Sequence, residues 1–235
     1  MVDGMNGRTS PTPTRTMPLV ERINARGLHE HLAEVVLALR VPPAAPVLDL
    51  GCGSGAWLER LRGLGYSNVL GVDSDTVQFG AEGVECVSCD LESALPSLGC
   101  SSFRLITAIE VIEHVANTGQ FVRSLGALLA DDGLGLITTP NMHSLAARLR
   151  YCLTGRLPEF DDRGEPTHIT PIFLEPLRRL LDREGLVIDR VWTFPEREAG
   201  AVWRRTLRLL VGFMRLAVRD PLPGISLCVL VRRQR

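Results

Sequence analysis

Two short stretches of this chain carry residue types that could do chemistry. If Glu110-Val111-Ile112-Glu113-His114 opens a helical turn, Glu113 and His114 lie three and four residues past Glu110 and project to the same side. Two carboxylates and an imidazole so grouped can exchange protons with a bound hydroxyl. The plainer duties are a ligand contact for Glu110, a solvated helix acid for Glu113 and a packed or capping ring for His114. The second stretch is Val47-Leu48-Asp49-Leu50-Gly51-Cys52-Gly53-Ser54-Gly55, a hydrophobic run, an acid and three alternating glycines. Glycines so spaced fit a sharp turn with a ligand lying across it, because side chains there would clash or forbid positive φ. The dinucleotide fingerprint spaces its glycines G-x-G-x-x-G and cradles a pyrophosphate. Here the third glycine comes one residue early, and Asp49 beside the loop suits an ammonium better than a phosphate.

Asp49-Leu50-Gly51-Cys52-Gly53-Ser54-Gly55 resembles the first motif of the class I S-adenosylmethionine-dependent methyltransferases. Val69-Leu70-Gly71-Val72-Asp73 follows as a second strand ending in an acid, about 20 residues past the glycines, the separation that brings a carboxylate to a ribose diol. Val84 to Asp90-Leu91 resembles the third strand and the Asp-hydrophobic pair that this family uses on adenine. The resemblance implies that Asp49, Gly51, Cys52 and Gly53 hold the methionine end of the cofactor, Asp73 and Ser74 the ribose, and Asp90 and Leu91 the adenine. The Glu-x-x-Glu-His pattern, with Thr139-Pro140-Asn141 and a later histidine, is similar to ubiquinone-pathway O-methyltransferases and to enzymes that methylate the terminal 2′-hydroxyl of small RNAs. By the RNA group's pattern, Glu110, Glu113, His114 and His168 would bind Mg²⁺ or another divalent metal, with Glu110, His114 and His168 catalytic. Without a metal, His114 or His168 would be the general base. Ile169-Thr170-Pro171 departs from the RNA group, which carries an aromatic residue and a further histidine there.

The elements that must position these residues alternate. A leading helix is expected over Pro18 to Arg40, then strands at Val47, Val69, Val84, Phe103 to Ile109 and Leu134 to Thr138, with helices from Ala56, after Asp75 and over Gly119 to Leu129. Such alternation predicts an α/β fold, a doubly wound, mostly parallel sheet with ligands at the carboxyl ends of its strands. A helix over His143 to Leu153, a polar loop and a helix over Ile172 to Glu184 come next, with a lid near 141–170. The methyltransferase resemblance implies a seven-stranded Rossmann-like sheet, with a sixth strand over Leu186 to Trp192 and an antiparallel last strand over Ile225 to Val231.

Composition narrows the function. The 235 residues suit one domain over 18–235 behind a flexible tail, 1–17, that lacks the apolar core of a signal peptide. Six scattered cysteines imply no disulfide framework and a reduced, cytoplasmic setting; Cys86 and Cys89, three apart on a strand, point to opposite faces. All 26 basic residues are arginine, which excludes lysine chemistry. A net charge of -1 argues against a large nucleic-acid partner. Ala201 to Arg219, in an insert near 200–220, reads as a helix whose Arg204, Arg205, Arg208, Arg215 and Arg219 share a stripe of about 100°. It suits packing over the site or at a dimer interface, or else peripheral contact at the inner membrane face. The acceptor is therefore expected to be small or lipid-linked. The rival readings are a small-RNA 2′-O-methyltransferase, an NAD-dependent oxidoreductase and a non-catalytic cofactor-binding module.

Overall fold

The computed structural model describes residues 19–21, 25–93, 98, 102–195 and 222–234; the 1–17 tail and the 201–219 helix lie outside the described residues. Seven strands form one sheet in the order β3-β2-β1-β4-β5-β7-β6. They are β1 (Val47–Leu50), β2 (Val69–Asp73), β3 (Glu85–Ser88), β4 (Phe103–Ile109), β5 (Leu129–Pro140), β6 (Leu186–Phe194) and β7 (Ser226–Arg233). The first five pair in parallel, and β7 runs antiparallel to both β5 and β6. This is the doubly wound, mostly parallel sheet that the alternation predicts.

Helices α1 (Leu28–Ala38), α2 (Ala56–Gly63), α3 (Thr118–Leu128), α4 (Leu145–Thr154) and α5 (Leu174–Arg183) supply the covering layers. Side chains alternate across a strand, so Leu105 and Ile106 of β4 enter different cores. Leu105 joins Leu28, Leu32, Trp57 and Leu61 from α1 and α2, while Ile106 joins Phe121, Leu125, Leu177 and Leu181 from α3 and α5. Burial on both faces explains why β1 and β4 are mostly apolar, with Asp49 and Thr107 as buried polar exceptions. Strand order reverses between β1 and β4, which opens a crevice at their carboxyl ends.

Three elements differ from the sequence reading. α1 starts at Leu28, behind Gly27 at φ 86°. After Asp75 there is only a 3₁₀ turn, Thr76–Gln78, capped where the Asp75 carboxylate accepts from the Val77 amide at 3.1 Å. β5 begins five residues earlier than expected, because Leu129 already pairs with Phe103 before a register shift brings Leu134 opposite Leu105. Gly133 lies in that irregularity, where an added Cβ would stand 2.7 Å from the Phe103 carbonyl oxygen. Among the described residues no helix is long and apolar enough to cross a membrane.

Candidate active site

The turn after β1 is built as its glycines demand. Gly51 and Gly53 have φ of 72° and 51°; a Cβ on Gly51 would sit 2.6 Å from the Val111 side chain, whereas Gly53 faces open space. The Gly53 amide donates to Asp73 Oδ2 at 2.8 Å, and Asp75 N–H donates to its other oxygen at 2.9 Å. Asp73 is thereby fixed at the end of β2. The Asp90 carboxylate is held in the same way by the Glu92 amide at 2.9 Å. Asp49, Gly51, Cys52, Gly53, Asp73, Ser74, Asp90 and Leu91 all line one cavity of about 1020 Å³. Every residue expected to hold a nucleoside cofactor thus lines the same cavity.

Asp49 is buried at the cavity floor, where the Thr107 hydroxyl donates to its Oδ1 at 2.6 Å and is itself fixed by Trp57 Nε1 at 3.1 Å. Burial pushes the Asp49 carboxyl up to about 7, aided by the charge of Asp73 and opposed by the Thr107 hydrogen bond. Thr107 is a site residue that sequence reasoning missed; a threonine inside a hydrophobic strand gave no local signal.

Beyond β4 the chain does not enter the α-helical turn expected. Glu110 takes φ 54°, in the left-handed region that a non-glycine residue rarely adopts, with its amide donating to Thr138 O at 3.1 Å and to Thr138 Oγ1 at 3.0 Å. A 3₁₀ turn, Ile112–His114, follows. Glu110 lines the cavity, and among the described residues the group within metal-ligand reach is Glu113, His114 and His168, whose ligand atoms lie within 4.8 Å of one another. Glu110 does not belong to that group, although its charge adds to the burial that drives the Glu113 carboxyl well above its ordinary range.

The loop between α4 and α5 comes to this turn through backbone contacts. The Glu113 carbonyl accepts from the Ile169 and Thr170 amides at 3.0 and 2.9 Å, and the Thr170 hydroxyl donates to Val115 O at 2.8 Å. His168 is thereby carried to His114, their ring centroids 4.7 Å apart. His114 Nδ1 lies 3.1 Å from Thr167 O, and His168 Nδ1 lies 3.0 Å from Glu159 O. A carbonyl only accepts, so each ring donates from Nδ1, and a neutral ring then carries its lone pair on Nε2. Glu113 is fully buried, and neither of its carboxylate oxygens has a hydrogen bond of normal geometry; the nearby Thr139 hydroxyl only partly offsets the effect of burial. A buried carboxylate without partners beside two imidazole lone pairs fits a divalent cation.

Cys52 and Cys86 bring their sulfurs to 3.4 Å, a pairing across the loop and β3 that chain spacing did not reveal. Cys89 falls past the end of β3.

A family model described as a methyltransferase domain matches residues 22–191. The ubiquinone biosynthesis O-methyltransferase of Caulobacter sp. (strain K31) is 27% identical over 184 residues, spanning 74% of this chain and 72% of its own length. Among solved structures, a SAM-dependent methyltransferase from Archaeoglobus fulgidus superposes with a TM-score of 0.64 at 20% identity, over 88% of this chain and 96% of that one. The [4+2]-cyclase SpnF superposes with 0.60 at 17% identity, over 87% and 81%. At such identities a superposition speaks to fold alone, and one fold hosts several chemistries.

Proposed function

The chain belongs to the class I S-adenosylmethionine-dependent methyltransferases, and we propose that it methylates an oxygen of a small or lipid-linked acceptor with the aid of a divalent metal ion. The observation that carries the metal is Glu113, buried without hydrogen-bond partners beside His114 and His168, whose Nδ1 atoms are both committed to backbone carbonyls. Glu113, His114 and His168 would hold the ion. Two imidazoles and one carboxylate suit Mn²⁺, Fe²⁺ or Zn²⁺ better than Mg²⁺, which prefers oxygen ligands. Resemblance to the ubiquinone O-methyltransferase supports an oxygen acceptor, and a quinone precursor, a lipid-linked glycan or a natural product with a free hydroxyl is consistent with it. With a lipid-linked acceptor, the enzyme would work from the cytoplasm at the inner membrane face.

In this reading Asp49 faces the ammonium of the methionine moiety, Asp73 and Ser74 the ribose, and Asp90 and Leu91 the adenine. The methyl group on the sulfonium is already activated, so the protein must align the acceptor oxygen with it and remove the hydroxyl proton. A bound divalent ion would lower the pKa of that hydroxyl. Glu110, at the cavity wall beside the cluster, takes the proton, since both imidazole lone pairs are engaged. The lid segment, pinned through Thr170 and the Glu113 carbonyl, keeps bulk water from the sulfonium.

Calorimetric titration of Mn²⁺, Zn²⁺ and Mg²⁺ tests this, with S-adenosylhomocysteine bound. Wild type is expected to bind Mn²⁺ or Zn²⁺ at one site, and Glu113→Ala or His168→Ala to lose at least about ten-fold in metal affinity, with S-adenosylhomocysteine affinity unchanged. No metal binding in wild type would leave His114, which lines the cavity, as a metal-free general base.

A further inference from the structure

The methionine end of the cavity has an unmet electrostatic requirement. S-adenosylmethionine carries an α-carboxylate there beside its ammonium, and a carboxylate taken from water needs charged or N–H partners. Among the described residues no arginine lines the cavity, although arginine is the chain's only strongly basic residue. Four loop amides are engaged, Gly51 and Cys52 donating to Val72 O, Gly53 to Asp73 and Gly55 to Cys52 O, so the N–H groups that face the cavity here, at Ser54 and the first turn of α2, are uncharged. Trp57 Nε1 donates to Thr107, and the Ser54 hydroxyl donates to Val20 O while accepting from the Val20 amide.

His29 remains. It lines the cavity from α1, is 5% exposed and packs against the Trp57 ring at 5.3 Å between centroids. Its Nδ1 lies 3.2 Å from Glu21 Oε1, an electrostatic contact whose angle falls short of a hydrogen bond. Glu21 is fixed by Arg60 of α2 at 2.9 Å, and Arg60 also reaches Glu30 of α1 at 2.8 Å. With Nδ1 turned toward Glu21, Nε2 is the nitrogen left for a ligand. Resting on the methyltransferase reading, we propose that His29 recognises the α-carboxylate of S-adenosylmethionine through Nε2, oriented by Glu21. Burial chiefly, and Arg60, lower the His29 pKa, while Glu21 and Glu30 raise it; a bound carboxylate adds to the raising side and charges the ring.

The test compares S-adenosylhomocysteine with 5′-methylthioadenosine, which keeps the adenosine and thioether but lacks the amino-acid group. Calorimetry on wild type, His29→Gln and His29→Phe should give a graded loss of S-adenosylhomocysteine affinity, roughly ten-fold for Gln and up to roughly a hundred-fold for Phe. Methylthioadenosine affinity should stay within about two-fold of wild type throughout. Equal losses for both ligands would mean that His29 only supports the fold, and an unchanged S-adenosylhomocysteine affinity would equally overturn the assignment. Failure of wild type to bind either ligand would instead strike the methyltransferase reading.

Discussion

Asp49 and His29 titrate in opposite senses when the cofactor binds. The Asp49 carboxyl, raised to about 7 by burial, is largely protonated at pH 6.5 in the free protein. An acid raised in this way lends the fold stability that is greatest below its ordinary pKa and is lost as pH climbs through about 7. A ligand ammonium beside it favours the ionised form and expels the proton. His29 behaves conversely, because burial keeps its ring neutral until a carboxylate arrives. Titrating S-adenosylhomocysteine at pH 6.5 in two buffers of different ionisation enthalpy should therefore show net proton release that grows in His29→Gln. In Asp49→Asn the release should vanish or turn to uptake. Identical proton counts in all three proteins would mean that neither side chain meets the cofactor's amino-acid group.

At the scale of elements, the loop after β1 is the part most fully legible in the sequence, because three glycines and two strand-end acids constrain it locally. Gly51→Ala should test that constraint hard: the new methyl would meet Val111 at 2.6 Å on a backbone at φ 72°. Loss of about 1–3 kcal/mol in denaturant unfolding, together with loss of S-adenosylhomocysteine binding, is expected; Gly53→Ala, which faces open space, should unfold later than Gly51→Ala yet still bind poorly. The turn after β4 was less legible. Glu110, Glu113 and His114 are visible as a motif, but the left-handed backbone of Glu110 is set by Thr138 on β5, 28 residues away. Local spacing therefore predicted a helical face that does not form, and the ligand atoms that come within 4.8 Å of one another are those of Glu113, His114 and His168, without Glu110. The meeting of His168 with His114 depends on hydrogen bonds from residues 169 and 170 to the Glu113 carbonyl, and Thr107 beneath Asp49 is a contact across 58 residues. Such contacts are tertiary, and no periodicity encodes them.

For the molecule as a whole, the sheet topology separates what binds the cofactor from what could select the acceptor. The cofactor wall comes from β1 to β4, whereas β6 and β7 form an antiparallel pair on the far side of β5. Phe194 pairs with Ser226 at the open end of that ladder, and Ile225 N–H donates to the Phe194 carbonyl at 3.0 Å, so the two strand ends are already within the reach of a short turn. Replacing residues 196–221, the arginine-striped segment included, with a few residues of turn-forming sequence leaves the described pairings of β5, β6 and β7 in place. The shortened protein should fold, with S-adenosylhomocysteine affinity within about two-fold of wild type. If the segment selects a lipid-linked acceptor, the same deletion should abolish sedimentation with vesicles containing anionic lipid and suppress methylation of amphiphilic phenols, while a water-soluble catechol is still turned over. Equal loss on both acceptors would assign the segment to the catalytic pocket, as a packed cover over the site. Vesicle binding that survives the deletion would move the membrane contact elsewhere on the surface, to the exposed Tyr151, Leu153 and Ile169 of α4 and the lid.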